Sequence, residues 1–255
     1  MIILTRNLVV AALYLSLAGC LSGGKPDADV RGVLHGGLVW QGEVFVAGDV
    51  ILDEDANLCI LPGTRVRSLS PDAGPGGLVE HPHFPGSELI VKGEVPAVGT
   101  PAEPIIFESA DLEVQPGAWG AINLEGSREA VFEYCVFRQA DSAVHCRDSQ
   151  VYIEQSLFED NLVAIRFHDS DILIEHTLLR NNQSAIRFHF GSPVICENVF
   201  LDDDVNLPRN FWIQSEGSSF EHVFYDARRT PYLGRVLIEP LRTVPSALAG
   251  LSWNP

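Results

Sequence analysis

The fold is decided by "IEQSLFEDNLVAIRFHDSDILIEHTLLRNNQSAIRFH", residues Ile153–His189. Its second half rewrites its first. "AIRFH" occurs at Ala164–His168 and again at Ala185–His189, 21 residues on. The same frame extends both ways: "FEYCVF" starts at Phe132, "IEQSLF" at Ile153, "IEHTLL" at Ile174 and "ICENVF" at Ile195. It also aligns Ala143, Ala164 and Ala185, then Val144, Ile165 and Ile186. Four copies without an insertion are a repeat, and periods near this length belong to solenoids.

Leucine-rich repeats share the length, but their regular Leu and Asn pattern is missing. Helical repeats are longer and need a 3.6-residue period. Here apolar residues alternate: Val151 and Ile153 flank Tyr152, and Ile165 and Phe167 flank Arg166. Period two means short strands with one face inward. The clusters "EDN" (Glu159–Asn161), "DSD" (Asp169–Asp171) and "RNNQ" (Arg180–Gln183) read as turns. Three strands and three turns per frame make one coil of a parallel β-helix, each residue stacked on its equivalent about 4.8 Å away. Ile165 then sits on Ile186 and Phe167 on Phe188, while the alanines form a column too narrow for bulk.

Several segments carry a family resemblance. The column Cys135, Ser156, Thr177, Asn198 resembles the inward polar ladder of right-handed parallel β-helices of the pectate-lyase-like superfamily, although only Asn198 is the favoured Asn. "GDVILDEDANLCILPGTRVR" (Gly48–Arg67) resembles the opening coils of bacterial β-helix repeat proteins, with "ELIVKGEVPAVGTPAEPIIFES" (Glu88–Ser109) and "WGAINLEGS" (Trp119–Ser127) resembling the coils that follow. "RNFWIQ" (Arg209–Gln214) and "YDARRTPYLGRVLIEPL" (Tyr225–Leu241) resemble closing segments. The fold expected is all-β, a single-stranded right-handed parallel β-helix with coils of about 21 residues. It would occupy 30–255, with regular repeats over about 130–200, a Pro- and Gly-rich insertion at 68–88 and a closing segment from about 206. Such a scaffold hosts many unrelated activities.

Residues 1–19 read as a signal peptide: Arg6, then an apolar run from Leu8 to Ala18, too short to span a bilayer comfortably. Leu17-Ala18-Gly19-Cys20 resembles the bacterial lipobox, which implies cleavage before Cys20, lipid on that Cys and a tether over 20–29. Leu21 in place of Asp implies, by the same resemblance, passage to the outer membrane of a Gram-negative envelope.

Formal charge is −17, and Lys is confined to Lys25 and Lys92. That excludes a nucleic-acid binder, which needs a basic footprint. Cys59, Cys135, Cys146 and Cys196 contain no CxxC pair, so a zinc site is unsupported. Cys135 and Cys146 are candidates for a disulfide or for buried thiols.

With Ile165 and Phe167 inward, Arg166 and His168 point outward. Stacking sets Arg187 and His189 on one side of them and His145 and Arg147 on the other. Two expectations follow. These six form a site for an anionic ligand, or the arginines pair with Asp148, Asp169 and Asp171 as ordinary surface ions. A second column, Glu133, Glu154 and Glu175, is a weak candidate for Ca²⁺. Arg138, Glu159 and Arg180 alternate in sign as a charge ladder between coils. "EHPH" around Glu80, His81 and His83, and the run Asp202–Asp204, are weaker metal candidates. No phosphate loop, Gly-x-Ser-x-Gly elbow or His-Glu-x-x-His is present.

The leading functional expectation is a non-enzymatic surface scaffold or binding module without a cofactor, for a polysaccharide or an envelope partner protein. Two alternatives stand beside it. One is a lyase or hydrolase acting on acidic sugars, with Arg166 or Arg187 as the base and His168 and His189 assisting. The other is a structural subunit of an envelope complex.

Overall fold

The computed structural model describes residues 29–69, 84–111, 114–190, 193–201 and 211–213. Cys20, the EHPH residues, Asp202–Asp204 and nearly all of the closing segment lie outside the described residues. Those described are all-β, without a helix. In chain order the strands are β1 (Val30–Leu34), β2 (Gly37–Trp40), β3 (Glu43–Leu52), β4 (Asn57–Ile60), β5 (Arg65–Ser68), β6 (Leu89–Val91) and β7 (Glu94–Val98). There follow β8 (Ile105–Ser109), β9 (Trp119–Glu125), β10 (Glu129–Glu133), β11 (Cys135–Arg138), β12 (Ala140–Arg147), β13 (Gln150–Glu154) and β14 (Leu157–Glu159). The last are β15 (Val163–His168), β16 (Asp171–Glu175), β17 (Leu178–Arg180), β18 (Ser184–His189), β19 (Val194–Cys196), β20 (Val199–Leu201) and β21 (Phe211–Ile213).

From β4 to β17 each strand pairs in parallel with the third strand onward, so successive frames stack in a β solenoid-like arrangement; β1–β3, β2–β4 and β3–β5 pair two apart, and β20 pairs with β21. β19, β16, β13, β10, β7, β4 and β2 make one sheet. The larger sheet has two faces joined by β3. Glu43–Val46 of β3 pair with β5, while Val50–Leu52 pair with β6, and Gly48 between them has φ +82°. Beyond β5 run β8, β11, β14, β17, β20 and β21; beyond β6 run β9, β12, β15 and β18. The repeat frame is the register: Ile153 pairs with Ile174 and Ile174 with Ile195.

Each corner of the regular part turns on one residue with positive φ. These are Tyr134, Gln155, His176 and Glu197 at one corner, Gln139, Asp160 and Asn181 at the next, Asp148, Asp169 and Phe190 at the third. Except at Ala140, the next described residue points a small side chain with a hydrogen-bonding atom inward, where it serves buried backbone. Ser156 Oγ accepts from Cys135 N–H at 3.1 Å and donates to the Glu154 carbonyl at 2.9 Å. Thr177 and Asn198 continue this ladder through the Ser156 and Thr177 N–H groups. Two further ladders, absent from the sequence reading, occupy the other corners: Asn161 with Asn182, and Ser149 with Ser170. Buried N–H groups must be paired, so these side chains hold the corners closed.

Between corners the core is apolar. Phe107, Phe137 and Phe158 stack along the axis with centroids 5.0 and 4.4 Å apart, and Phe132 meets Phe107 and Phe137 edge-on. Ala143, Ala164 and Ala185 are fully buried. Ala143 occupies a bulge where β12 gains one residue against β9. Cys135 and Cys146 are buried free thiols, so no disulfide joins them. Burial pushes both thiols up, away from the reactive thiolate.

Candidate functional site

The β6–β9–β12–β15–β18 face carries the expected cationic group. Backbone register sets His145 against Arg166 and Arg166 against Arg187. In register, the second column runs Glu125, Arg147, His168, His189. All six predicted positions therefore fall on neighbouring strands of one face. Their carboxylate partners divide the two columns. Arg147 lies 3.8 Å from Asp148, and His168 lies 3.2 Å from Asp169. Arg166 and Arg187 have no carboxylate within ion-pairing distance among the described residues, so the expected pairing with Asp169 and Asp171 does not occur. The Arg187 Nε donates to Ser184 Oγ at 3.2 Å, and the Arg166 Nε is buried without a hydrogen-bond partner.

The far end of the 68–88 insertion returns onto this face. Phe84 sets its ring edge-on to His145 at 5.2 Å, and the Arg166 guanidinium stands 5.2 Å above the same ring. The approach depends on Gly120 in β9. A Cβ there would meet the Glu88 Cγ at 2.6 Å and the Ser87 carbonyl at 3.1 Å. The base of the insertion is pinched by Ser87 Oγ donating to the Leu69 carbonyl at 2.8 Å.

Glu88 is buried at the inner end of a polar chain. Phe84 N–H donates to its Oε1 at 2.7 Å, and the Asn123 amide donates to its Oε2 at 3.3 Å. Asn123 Oδ1 in turn accepts from His145 Nδ1 at 2.7 Å. That bond leaves the neutral imidazole lone pair on Nε2. Burial lifts the Glu88 carboxyl to about 7 against the pull of Phe84 N–H and Asn123, with Asp49 and Glu125 adding to the rise. Desolvation lowers the Arg166 pKa, Arg187 lowers it further, and Asp141 partly restores it. Asp141 is raised by desolvation against the pull of Arg166 and Arg187. The two cations thus stand side by side, Arg166 partly dehydrated and Arg187 exposed, with the half-buried Asp141 carboxylate nearby. The sequence reading missed Phe84, Glu88, Asn123 and Asp141. None repeats in the 21-residue frame, and the first two sit in the insertion.

Two other groups carry donors of the kind that hold a metal. Glu133, Glu154 and Glu175 are stacked as expected. Burial and then Glu154 raise the Glu133 carboxyl, and His176 Nδ1 lies 3.5 Å from Glu154. The trio of metal-capable donors that converges among the described residues is His35, Asp53 and Asp55, within 4.8 Å of one another and largely exposed. It joins two successive coils in the irregular part, where the repeat offered no guide. On the remaining face the expected charge ladder is formed. Glu159 lies between Arg138 and Arg180, with Arg180 Nε donating at 2.7 Å, and Glu108 extends the ladder to Arg65 at 2.9 Å.

No family model, curated protein or solved structure matches the chain.

Proposed function

We propose that this protein is a binding module for an acidic polysaccharide, built on a right-handed parallel β-helix and held at the outer membrane by lipid on Cys20. The handedness rests on the rule that crossovers between parallel strands of one sheet are right-handed in about 98% of cases. One observation carries the ligand class: Arg166 and Arg187 lie adjacent, the first with its Nε buried and unpartnered, and neither has an ion-paired carboxylate among the described residues. Stacked like charges repel. An anionic group seated against both relieves that repulsion, and Arg is the side chain suited to carboxylates. A sugar chain lying along the axis would meet side chains repeated about every 4.8 Å.

The test is titration of the full chain with polygalacturonate and with uncharged dextran. Binding to the polyuronate alone is expected, weakened at least about tenfold by Arg166→Ala or Arg187→Ala, the loss of one charge-assisted contact. Equal binding of dextran, or variants that bind as well as the parent, would contradict the reading. A second reading, cleavage of the bound chain, is favoured by the Glu88–Asn123–His145 chain, which fixes His145 with an acceptor nitrogen as a general base requires. The same titration followed at the absorbance of unsaturated uronates decides it: product that disappears in His145→Ala establishes cleavage, and its absence from the parent protein leaves binding alone.

The anchoring proposal has its own measurement. Cys20→Ala is expected to abolish incorporation of labelled fatty acid and to release the protein from the membrane fraction; unchanged membrane association would remove it.

A further inference from the structure

The sheet of β10, β13, β16 and β19 turns outward a pattern unlike the cationic face. Its central outward column is apolar: Val131 pairs with Tyr152, Tyr152 with Leu173 and Leu173 with Val194. Tyr152 and Val194 are 43% and 54% exposed, an apolar surface left open to solvent. An acidic row borders each side. Glu133, Glu154 and Glu175 form one. Glu129 and Asp171, aligned through Gln150, form the other, and neither has an ion pair among the described residues.

We propose that this face docks a cationic amphipathic helix of a partner protein, its apolar ridge on the Tyr152 column and its Lys or Arg side chains over the two acidic rows. The occupant follows from dimensions and charge. Outward residues two apart along a strand stand about 6.6 Å from each other, so the acidic rows are about 13 Å apart. A helix with its side chains is about 10–12 Å wide and fits between them. Lying along the axis, it advances about 5.4 Å per turn against rungs of about 4.8 Å, so an apolar residue from each turn stays near register for three or four rungs. A second copy of this chain is a poor occupant, because its formal charge of −17 sets like charge against like. The Glu133 carboxyl is held above its ordinary value by burial and by Glu154, a repulsion that a cation seated between them relieves.

The experiment uses the full chain and a synthetic 18-residue helix with Leu at i, i+3/i+4 and i+7 spacing and Lys on both flanks. A scrambled peptide of the same composition is the control, and binding is read by fluorescence anisotropy at two salt concentrations. The helix is expected to bind, the scramble at least about tenfold less. Glu129→Lys/Glu133→Lys and Tyr152→Ser are each expected to lower affinity about tenfold or more, with thermal melts confirming that they fold. Arg187→Ala, on the other face, is expected to leave peptide binding unchanged, which separates this surface from the polysaccharide site. No binding of the helix, equal binding of the scramble, or full affinity in the folded variants overturns the proposal.

Discussion

At the scale of single residues, Glu88 stores a cost. Its carboxyl titrates near 7 in the folded chain against an ordinary 4.5. The unfolded chain therefore loses this proton first as pH rises, and the folded state holds more protons between those values. Stability from this group falls as pH climbs from about 4.5 to about 7 and is level above that, a loss of at most about 3 kcal/mol. Glu88→Gln is expected to flatten that part of the melting-temperature profile; a slope unchanged from the parent would contradict the assignment. This residue also marks the limit of sequence reading. Arg166 and Arg187 were legible because period-two alternation fixes which side chains point out, and the frame fixes which strands touch. Phe84 reaches Arg166 from the insertion, and Glu88 and Asn123 reach the same face through His145, all from positions off the frame. Burial by a returning loop leaves no periodic trace.

At the scale of the coil, the corners are the vulnerable parts. Asn161 Oδ1 accepts from Ala140 N–H, and its Nδ2 donates to the Phe137 carbonyl and to Asn182 Oδ1. Asn161→Ala leaves those backbone groups buried without partners, at an expected cost of about 2–4 kcal/mol. A denaturant midpoint within error of the parent would mean that the ladder is decorative. Because each coil touches only its neighbours, the loss should appear first as local opening of β14 and β15 by hydrogen exchange. The ladder through Ser156 and Thr177 was readable as a column of small polar residues. The Asn161 and Ser149 ladders were hidden because Asn and Ser are ordinary turn residues, and only the inward tilt after a positive-φ corner gives them a structural task. Alternation also understated one column. Val136, Leu157, Leu178 and Val199 point away from the axis yet are buried, with Ile106 and Tyr134 packed against them. Unbroken apolar runs such as "CVF" and "TLL" are the sequence sign of a strand covered on both faces.

At the scale of the molecule, two proposed surfaces of opposite charge exist only if every coil adds one rung to a common axis. Val33, Ile51, Ile90, Asn123, His145, Arg166 and Arg187 then form one column on consecutive strands. Regular coils made the later rungs readable from sequence. Across the insertions, register jumps from 21 residues to 35 between Glu94 and Glu129, and only the strands' hydrogen bonds place the partners. The most direct test is a pulsed electron paramagnetic resonance distance between spin labels at positions 33 and 187. Six rungs of about 4.8 Å predict one narrow distribution near 29 Å, widened by the label linkers. A maximum below about 20 Å or above about 40 Å would contradict the stacked column, and with it both surfaces.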